Sequence, residues 1–230
     1  GMKNVRTSMF NVFVPPYDEL IPRYLRREVA ERSTYEGEIV TELDEEGVRT
    51  ETRRLLDLGV ESICIGFLHS YANPANDVTA SHEVLPVWRE WERFSTTMVS
   101  AYVGPAVKRY LESLTGRLTD GGFGGTLLMM LADGLVETPE NCIPRAVYLM
   151  GSGPAAAPAA AVHYGLEAGH DHLLSFDMGG TSIDLAFIQN GQIATTTEGW
   201  IEDERLGIKM VDIDSAGAGG GSIAWVDTLG

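Results

Sequence analysis

Two cysteines in 230 residues are too few for a disulfide framework or a thiolate-ligated metal site. Cys64 falls inside an apolar run and reads as a small core residue. Basic side chains are scarce as well. Seventeen Lys and Arg stand against 33 Asp and Glu, and the net charge of −16 argues against a nucleic-acid or anionic-membrane surface. No apolar run approaches the roughly 18 residues a membrane-spanning helix needs, and no signal peptide is recognisable. A soluble, cytoplasmic protein with neither nucleic acid nor membrane as partner is expected. Gly-Lys-Ser/Thr occurs nowhere, which excludes a P-loop.

What the chain does have is glycine, 26 residues of it, gathered at the ends of apolar runs. An apolar content of 44% is that of an ordinary globular protein with a real core. Met9 to Val14 is β-like, and Leu20 to Glu31 carries a charged, helix-compatible stretch. Asp44 is placed to cap a helix with Val48, Leu55, Leu56 and Leu58 on its apolar side, and Gly59 stops it. Val60 to Leu68 then reads as a buried strand. Two helices follow, Pro86 to Ala101 and Pro105 to Leu118, divided at Gly104-Pro105. Thr126 to Leu131 and Ala146 to Met150 read as strands, and Ala155 to Glu167 as an alanine-rich helix. Leu173 to Phe176 and Leu185 to Ile188 are strands, and Asn190-Gly191 turns a hairpin that returns over Ile193 to Thr197. The alternation points to an α/β fold.

Three glycine loops stand out. Asp177-Met178-Gly179-Gly180-Thr181-Ser182-Ile183-Asp184 joins two apolar strands and offers backbone N–H groups and hydroxyls to an anion, carboxylates to a cation. Phosphate with Mg²⁺ needs both, although an Asp/Gly turn also forms for backbone reasons alone. Gly151-Ser152-Gly153-Pro154 opens a helix and matches a relaxed dinucleotide fingerprint, with Asp177 about two dozen residues on, where a ribose-binding acid would sit. An NAD-binding domain is therefore one alternative. Against it, Pro154 removes a donor, and Gly-Gly-Thr-Ser after Asp177 has no part in dinucleotide binding. Gly217-Ala218-Gly219-Gly220-Gly221-Ser222 is either a connector or a tight entry to the strand Ile223 to Val226. Three such loops suggest one anion-rich ligand held from several sides, in the manner of the actin-like ATPase and sugar-kinase superfold with its ribonuclease H-like sheet. Elsewhere, His170-Asp171-His172 is a surface loop or a metal-binding one. Arg89, Glu90, Glu92, Arg93 and Ser95-Thr96-Thr97 are polar positions on a helix, fit for surface ion pairs or for contact with a substrate.

These motifs resemble the hydantoinase A/5-oxoprolinase family. Besides Asp177 to Asp184, the likeness covers Phe67-Leu68-His69-Ser70-Tyr71-Ala72-Asn73-Pro74, Ser81-His82-Glu83-Val84-Leu85-Pro86 and Arg89 to Thr97. It continues through Ala101-Tyr102-Val103-Gly104-Pro105, Ser152-Gly153-Pro154-Ala155 and Gly217 to Asp227. It implies a partial actin-like ATPase fold with a helical insertion: a central α/β and helical part over 1–125, and an ATPase-like lobe over 126–230. It implies an ATP- and Mg²⁺-dependent enzyme that opens a cyclic amide, hydantoin or 5-oxoproline, through a phosphorylated intermediate. A subunit of an acetone- or acetophenone-type carboxylase, or a non-catalytic nucleotide-binding or assembly module, are the alternatives. By motif match, Gly179, Gly180, Thr181 and Ser182 would cradle phosphate, and Asp177 and Asp184 would act in catalysis and hold Mg²⁺. Gly151, Ser152, Gly153, Gly217, Gly219, Gly220 and Gly221 would line the nucleotide cleft. A companion hydantoinase B-type subunit and a homo-oligomer are the implied partners. The family's first phosphate loop, a Gly-Gly-Thr motif with its own acid, is not in this sequence, and the stretch between Asp77 and Ser81 is shorter than the family pattern. These residues alone are expected to be inactive.

Overall fold

The structure, a computed structural model, describes residues 21–66, 81–201 and 204–223. The expected strand at Met9 to Val14, the family-like segment Phe67 to Pro74 and the end of the run Ile223 to Val226 lie outside the described residues. In chain order come β1 (Arg32–Ser33), β2 (Ile39–Thr41), α1 (Glu45–Asp57), α2 (Ser81–Val84) and the long α3 (Glu90–Asp120). There follow β3 (Met129–Met130), β4 (Val136–Glu137), α4 (Pro139–Cys142), α5 (Ser152–Glu167), β5 (Leu173–Met178) and β6 (Ile183–Gln189). The chain continues with β7 (Gln192–Ile193), β8 (Thr195–Thr196), β9 (Gly199–Ile201), β10 (Glu204–Leu206), β11 (Met210–Val211) and β12 (Ile213–Ala216). Two compact units form, Gly1–Val107 with Trp200–Gly207, and Lys108–Gly199 with Ile208–Gly230.

In the first unit α1 begins as its sequence dictates. The Asp44 carboxylate accepts the Gly47 N–H at 2.9 Å, Glu45 and Glu46 fill the first turn, and Gly59 ends the helix at φ +80°. Between 21 and 31 the chain makes only a 3-10 turn at Arg23–Leu25. The strand expected from Val60 is not formed over the described residues beyond an isolated bridge at Ile65. The Ile65 carbonyl instead accepts the Ser81 N–H at 3.1 Å, and Gly66 lies against the ring of Phe94, so this run packs on helices. The two helices expected around Gly104-Pro105 are one, α3, with Pro105 inside it. An internal proline costs about 3 kcal/mol. Val99 and Leu111, on either side of it, are both buried, and burial of a helix face outweighs one lost backbone bond.

In the second unit the expected strand at Thr126 to Leu131 is only the two-residue β3, paired antiparallel with β4. Ala146 to Met150 is not a strand; a 3-10 stretch covers Ile143–Leu149. Its apolar residues Ala146 and Val147 are fully buried, and a run this short does not reveal by periodicity whether it is strand or helix. The main sheet has the order β12-β6-β5, with β7 also on β6, and each of these pairings is antiparallel. Asn190 and Gly191 take φ 52° and 70°, the left-handed pair of a two-residue hairpin turn. The returning segment divides, β7 staying on β6 while β8 pairs with β11. Ala155 of α5 packs with Ala186 and Val211, and Ile193 and Ile213 close the cluster. Among the described residues no helix is long and apolar enough to cross a membrane.

Candidate phosphate and cation site

The site is built from the ends of three strands. In the β5–β6 ladder Asp177 stands directly opposite Asp184, and in the β6–β12 ladder Asp184 stands opposite Ser215. Cross-strand partners share a sheet face. Asp177, Asp184 and Ser215 therefore form one row across three strands. Two residues back lies the row Ser175, Ala186 and Ile213, whose Ala186 meets Ala155 of α5. The acidic row thus continues the core face of the sheet past the helix that covers it. Ser215 donates its hydroxyl to Asp184 Oδ1. Like charges set directly opposite repel, so the Asp177/Asp184 pair is an arrangement that favours a cation.

Beyond the acids the hairpin closes by Gly179 donating its N–H to the Ser182 carbonyl at 2.9 Å, which leaves Gly180 and Thr181 at the tip. The N–H groups of Gly180, Thr181 and Ser182 bond no backbone carbonyl among the described residues. A turn with unspent donors above a carboxylate pair can take an anion and its counter-cation together.

The loop after β12 is brought onto this tip. Gly220 donates to the Gly179 carbonyl at 2.9 Å, and Gly219 is buried against the Gly180–Thr181 peptide. A Cβ at Gly219 would lie 2.6 Å from the Thr181 backbone nitrogen and closer still to the Gly180 carbonyl group. Only glycine permits that approach. Much of this loop's own donor capacity is spent within it or on its neighbour: Gly219 N–H goes to Ser222 Oγ at 3.0 Å, Ser222 N–H to the Gly219 carbonyl at 2.8 Å, and Ala218 N–H to the Ala216 carbonyl at 2.8 Å. Gly217 and Gly221 have nothing within 4 Å of a Cβ position, so the loop buttresses the tip through Gly219 and Gly220.

The third loop opens α5, with Gly151 at φ +76° as its N-cap and Ser152 and Gly153 in the first turn. Near the other end of the helix, Gly165 abuts Leu173 at the start of β5. With Ala155 on Ala186, α5 runs antiparallel to β5, and its N-terminal, partially positive end lies toward the end of the sheet that carries Asp177 and Asp184. A dinucleotide fingerprint needs a strand before its glycines. The 3-10 stretch that precedes Gly151 removes that context.

The polar start of α3 is not the solvated face its charges suggested. Arg93, Ser95, Thr96, Thr97 and Ser100 are buried, as is Glu92. Arg93 donates from Nε to Ser81 Oγ at 3.0 Å and from Nη1 to the Val87 carbonyl at 2.8 Å. Ser95 Oγ donates to the Arg205 carbonyl at 2.7 Å and reaches Glu204 Oε2 at 3.2 Å, and Gly207 donates to Thr96 Oγ1 at 2.8 Å. Arg205 pairs with Glu92 at 3.6 Å, with Arg89 on the same carboxylate at 3.8 Å. Burial pushes the Glu204 carboxyl above its ordinary range. The partners of Glu92, Ser95 and Thr96 in the segment 204–207 stand more than a hundred residues away in sequence, which is why helical spacing alone reads as surface. His170 and His172 are exposed, and the Asp171 carbonyl accepts the Gly191 N–H at 2.7 Å, a hairpin contact. No group of three or more His, Cys, Asp or Glu among the described residues could hold a metal.

Ser215 is the site residue that sequence reasoning missed. Its signal was available only as a hydroxyl two residues before a glycine run.

Comparison with known proteins places this geometry in context. The hydantoinase/oxoprolinase family model matches residues 93–230, and the model of that family's N-terminal region matches residues 2–85. Caprolactamase subunit alpha of Pseudomonas jessenii is 30% identical over 96% of this chain and 34% of its own length. The 5-oxoprolinase of Saccharomyces cerevisiae is 28% identical over 83% of this chain and 16% of its own. Among solved structures, the ATP-dependent caprolactamase from Pseudomonas jessenii superposes with a TM-score of 0.79 at 29% identity, over 100% of this chain and 35% of that one. Nucleotide-free acetone carboxylase, from work on ATP-dependent acetone carboxylation, also gives 0.79, at 28% identity over 93% of this chain and 32% of that one. The chain thus spans about a third of the length of these two solved structures.

Proposed function

This chain belongs to the hydantoinase/oxoprolinase family, and from that premise we propose that it carries one half of the Mg·ATP site of an enzyme that opens cyclic amides. The observation that supports this most is the Asp177/Asp184 pair set beneath the open N–H groups of Gly180, Thr181 and Ser182. The donor set fits the group. Two hard carboxylates suit Mg²⁺, which keeps most of its shell as water and phosphate oxygen and so needs no third protein acid. The glycine-only contact at Gly219 suits a tip that must be held in one shape.

In this reading Gly180 to Ser182 receive phosphate oxygens, while Gly179, expected to share that role, spends its N–H on the Ser182 carbonyl and closes the turn. Asp177 and Asp184 hold the cation, and the α5 N-terminus at Gly151 to Gly153 faces the remaining negative charge. Gly217 to Gly221 border the same cleft, and Gly219 and Gly220 brace it. ATP would supply the phosphoryl group that makes an amide oxygen a leaving group. The sheet β12-β6-β5 with α5 is then part of one lobe of an actin-like ATPase. The lobe takes in residues 126–230, and residues 1–125 form the central α/β and helical part. Relatives named as subunits support a companion hydantoinase B-type subunit, and a homo-oligomer fits the same reading. The acetone carboxylase likeness, equal in TM-score, favours a second reading in which the oxygen activated belongs to a ketone enol.

Calorimetry tests the shared part: the unaltered chain should bind ATP with a Mg²⁺-dependent affinity, and Asp177→Ala should remove that dependence. Binding of NAD in place of ATP would overturn the proposal. With the companion subunit present, ATP hydrolysis stimulated by a lactam or hydantoin selects the amide reading, and stimulation by a ketone with bicarbonate selects the other.

A further inference from the structure

Of the two opposed carboxylates, Asp184 is tethered by a side chain. Asp184 Oδ1 accepts the Ser215 hydroxyl, whereas Asp177 makes no side-chain hydrogen bond among the described residues. Ser215 is no incidental neighbour. It is the register partner of Asp184, it closes the Asp177–Asp184–Ser215 row, and it stands two residues before Gly217. The segment that restrains Asp184 through Ser215 therefore also braces the tip through Gly219 and Gly220. A single stretch, Ser215 to Gly220, sets both the carboxylate and the loop above it.

We propose that Ser215 is a positioning residue for the cation half of the site: its hydroxyl restrains the Asp184 carboxylate through Oδ1 and leaves Oδ2 to the metal. The inference rests on the Mg·ATP reading given above. An unrestrained carboxylate on a strand end must give up rotamer freedom each time it takes up a cation. One already restrained by a hydrogen bond does not, and outer partners of this kind commonly carry about 10- to 100-fold in metal affinity. Threonine retains the hydroxyl and is at home in a strand, so it is the conservative replacement.

The test compares the unaltered chain with Ser215→Ala, Ser215→Thr and Asp184→Ala. The probe is a non-hydrolysable ATP analogue, titrated calorimetrically in Mg²⁺ and again in EDTA, and far-UV circular dichroism checks that each variant is folded. The readout is the ratio of the two affinities. Ser215→Ala should reduce that Mg²⁺-dependent enhancement about tenfold and leave the EDTA value unchanged, Ser215→Thr should restore it, and Asp184→Ala should abolish it. Three results would overturn the proposal: an enhancement that survives Ser215→Ala but not Asp184→Ala, an equal loss with and without Mg²⁺, or no rescue by threonine. In all three the metal reading stands. An enhancement that survives Asp184→Ala, or no analogue binding by the unaltered chain, removes the Mg·ATP reading and this inference with it.

Discussion

Alanine at position 219 adds one methyl group at the point where two glycine loops meet. The new Cβ would sit 2.6 Å from the Thr181 nitrogen, about 0.9 Å inside the roughly 3.5 Å at which such atoms rest. Its other two near neighbours, the Gly180 carbonyl carbon and oxygen, are backbone too, so no side chain can swing aside to make room. The loops must separate. Overpacking of this kind costs about 1–3 kcal/mol, and separation also breaks the Gly220 N–H to Gly179 carbonyl bond, worth about 1 kcal/mol. We expect Gly219→Ala to lose about 2–4 kcal/mol in urea denaturation followed by circular dichroism. Gly217→Ala is the matched control, because its Cβ meets nothing within 4 Å and its φ lies outside the left-handed region. It should change stability by less than about 1 kcal/mol, and a gain is physically reasonable because the unfolded chain loses freedom. If the two variants were equally stable to within about 0.5 kcal/mol, the close packing of the two loops would be refuted.

Two further predictions concern the buried polar start of α3. Arg93→Ala should cost about 3–5 kcal/mol, because it empties a fully buried site and removes the hydrogen bonds to Ser81 Oγ and the Val87 carbonyl; Arg93→Met keeps the stem volume and should recover part of the loss in the same denaturation assay. Glu204 has a folded-state pKa raised above 4.5 by burial, so the folded state holds this proton more tightly than the unfolded state. Its contribution favours folding at low pH and turns unfavourable as pH rises through the raised value. Glu204→Gln, which can still accept from Ser95, should therefore gain stability relative to the unaltered chain as pH goes from about 4 to 7. Denaturation midpoints across that range should diverge, and parallel midpoints would refute the assignment.

Where elements rest on neighbours in the chain, they were legible beforehand. The Asp44 cap with its Gly59 stop, the helix after Gly151, the two strands around Asp177 to Asp184 and the Asn190-Gly191 turn all depend on contacts a few residues apart. The reading failed where an apolar run is short or a breaker is overridden. Ala146 to Met150 is buried as a 3-10 stretch, and Pro105 is carried inside a helix by burial on both sides of it. Charge pattern misled at Glu92, Ser95 and Thr96, whose partners at Arg205 and Gly207 lie across a fold that helical spacing cannot reveal.

The sequence by itself determined the family and the pieces of the candidate site: two acids flanking Gly-Gly-Thr-Ser, several glycine loops at element ends, and family motifs that run the length of the chain. The tertiary structure alone decided how those pieces meet. Asp177 faces Asp184 through hairpin register, Ser215 reaches Asp184 from 31 residues away, and Gly219 is pressed onto Gly180 and Thr181. Caps and turns are set by short-range hydrogen bonds and backbone sterics, which a sequence displays directly. Strand register and loop-on-loop packing are settled by closing long stretches of chain around a shared core, and that outcome is written in no single segment.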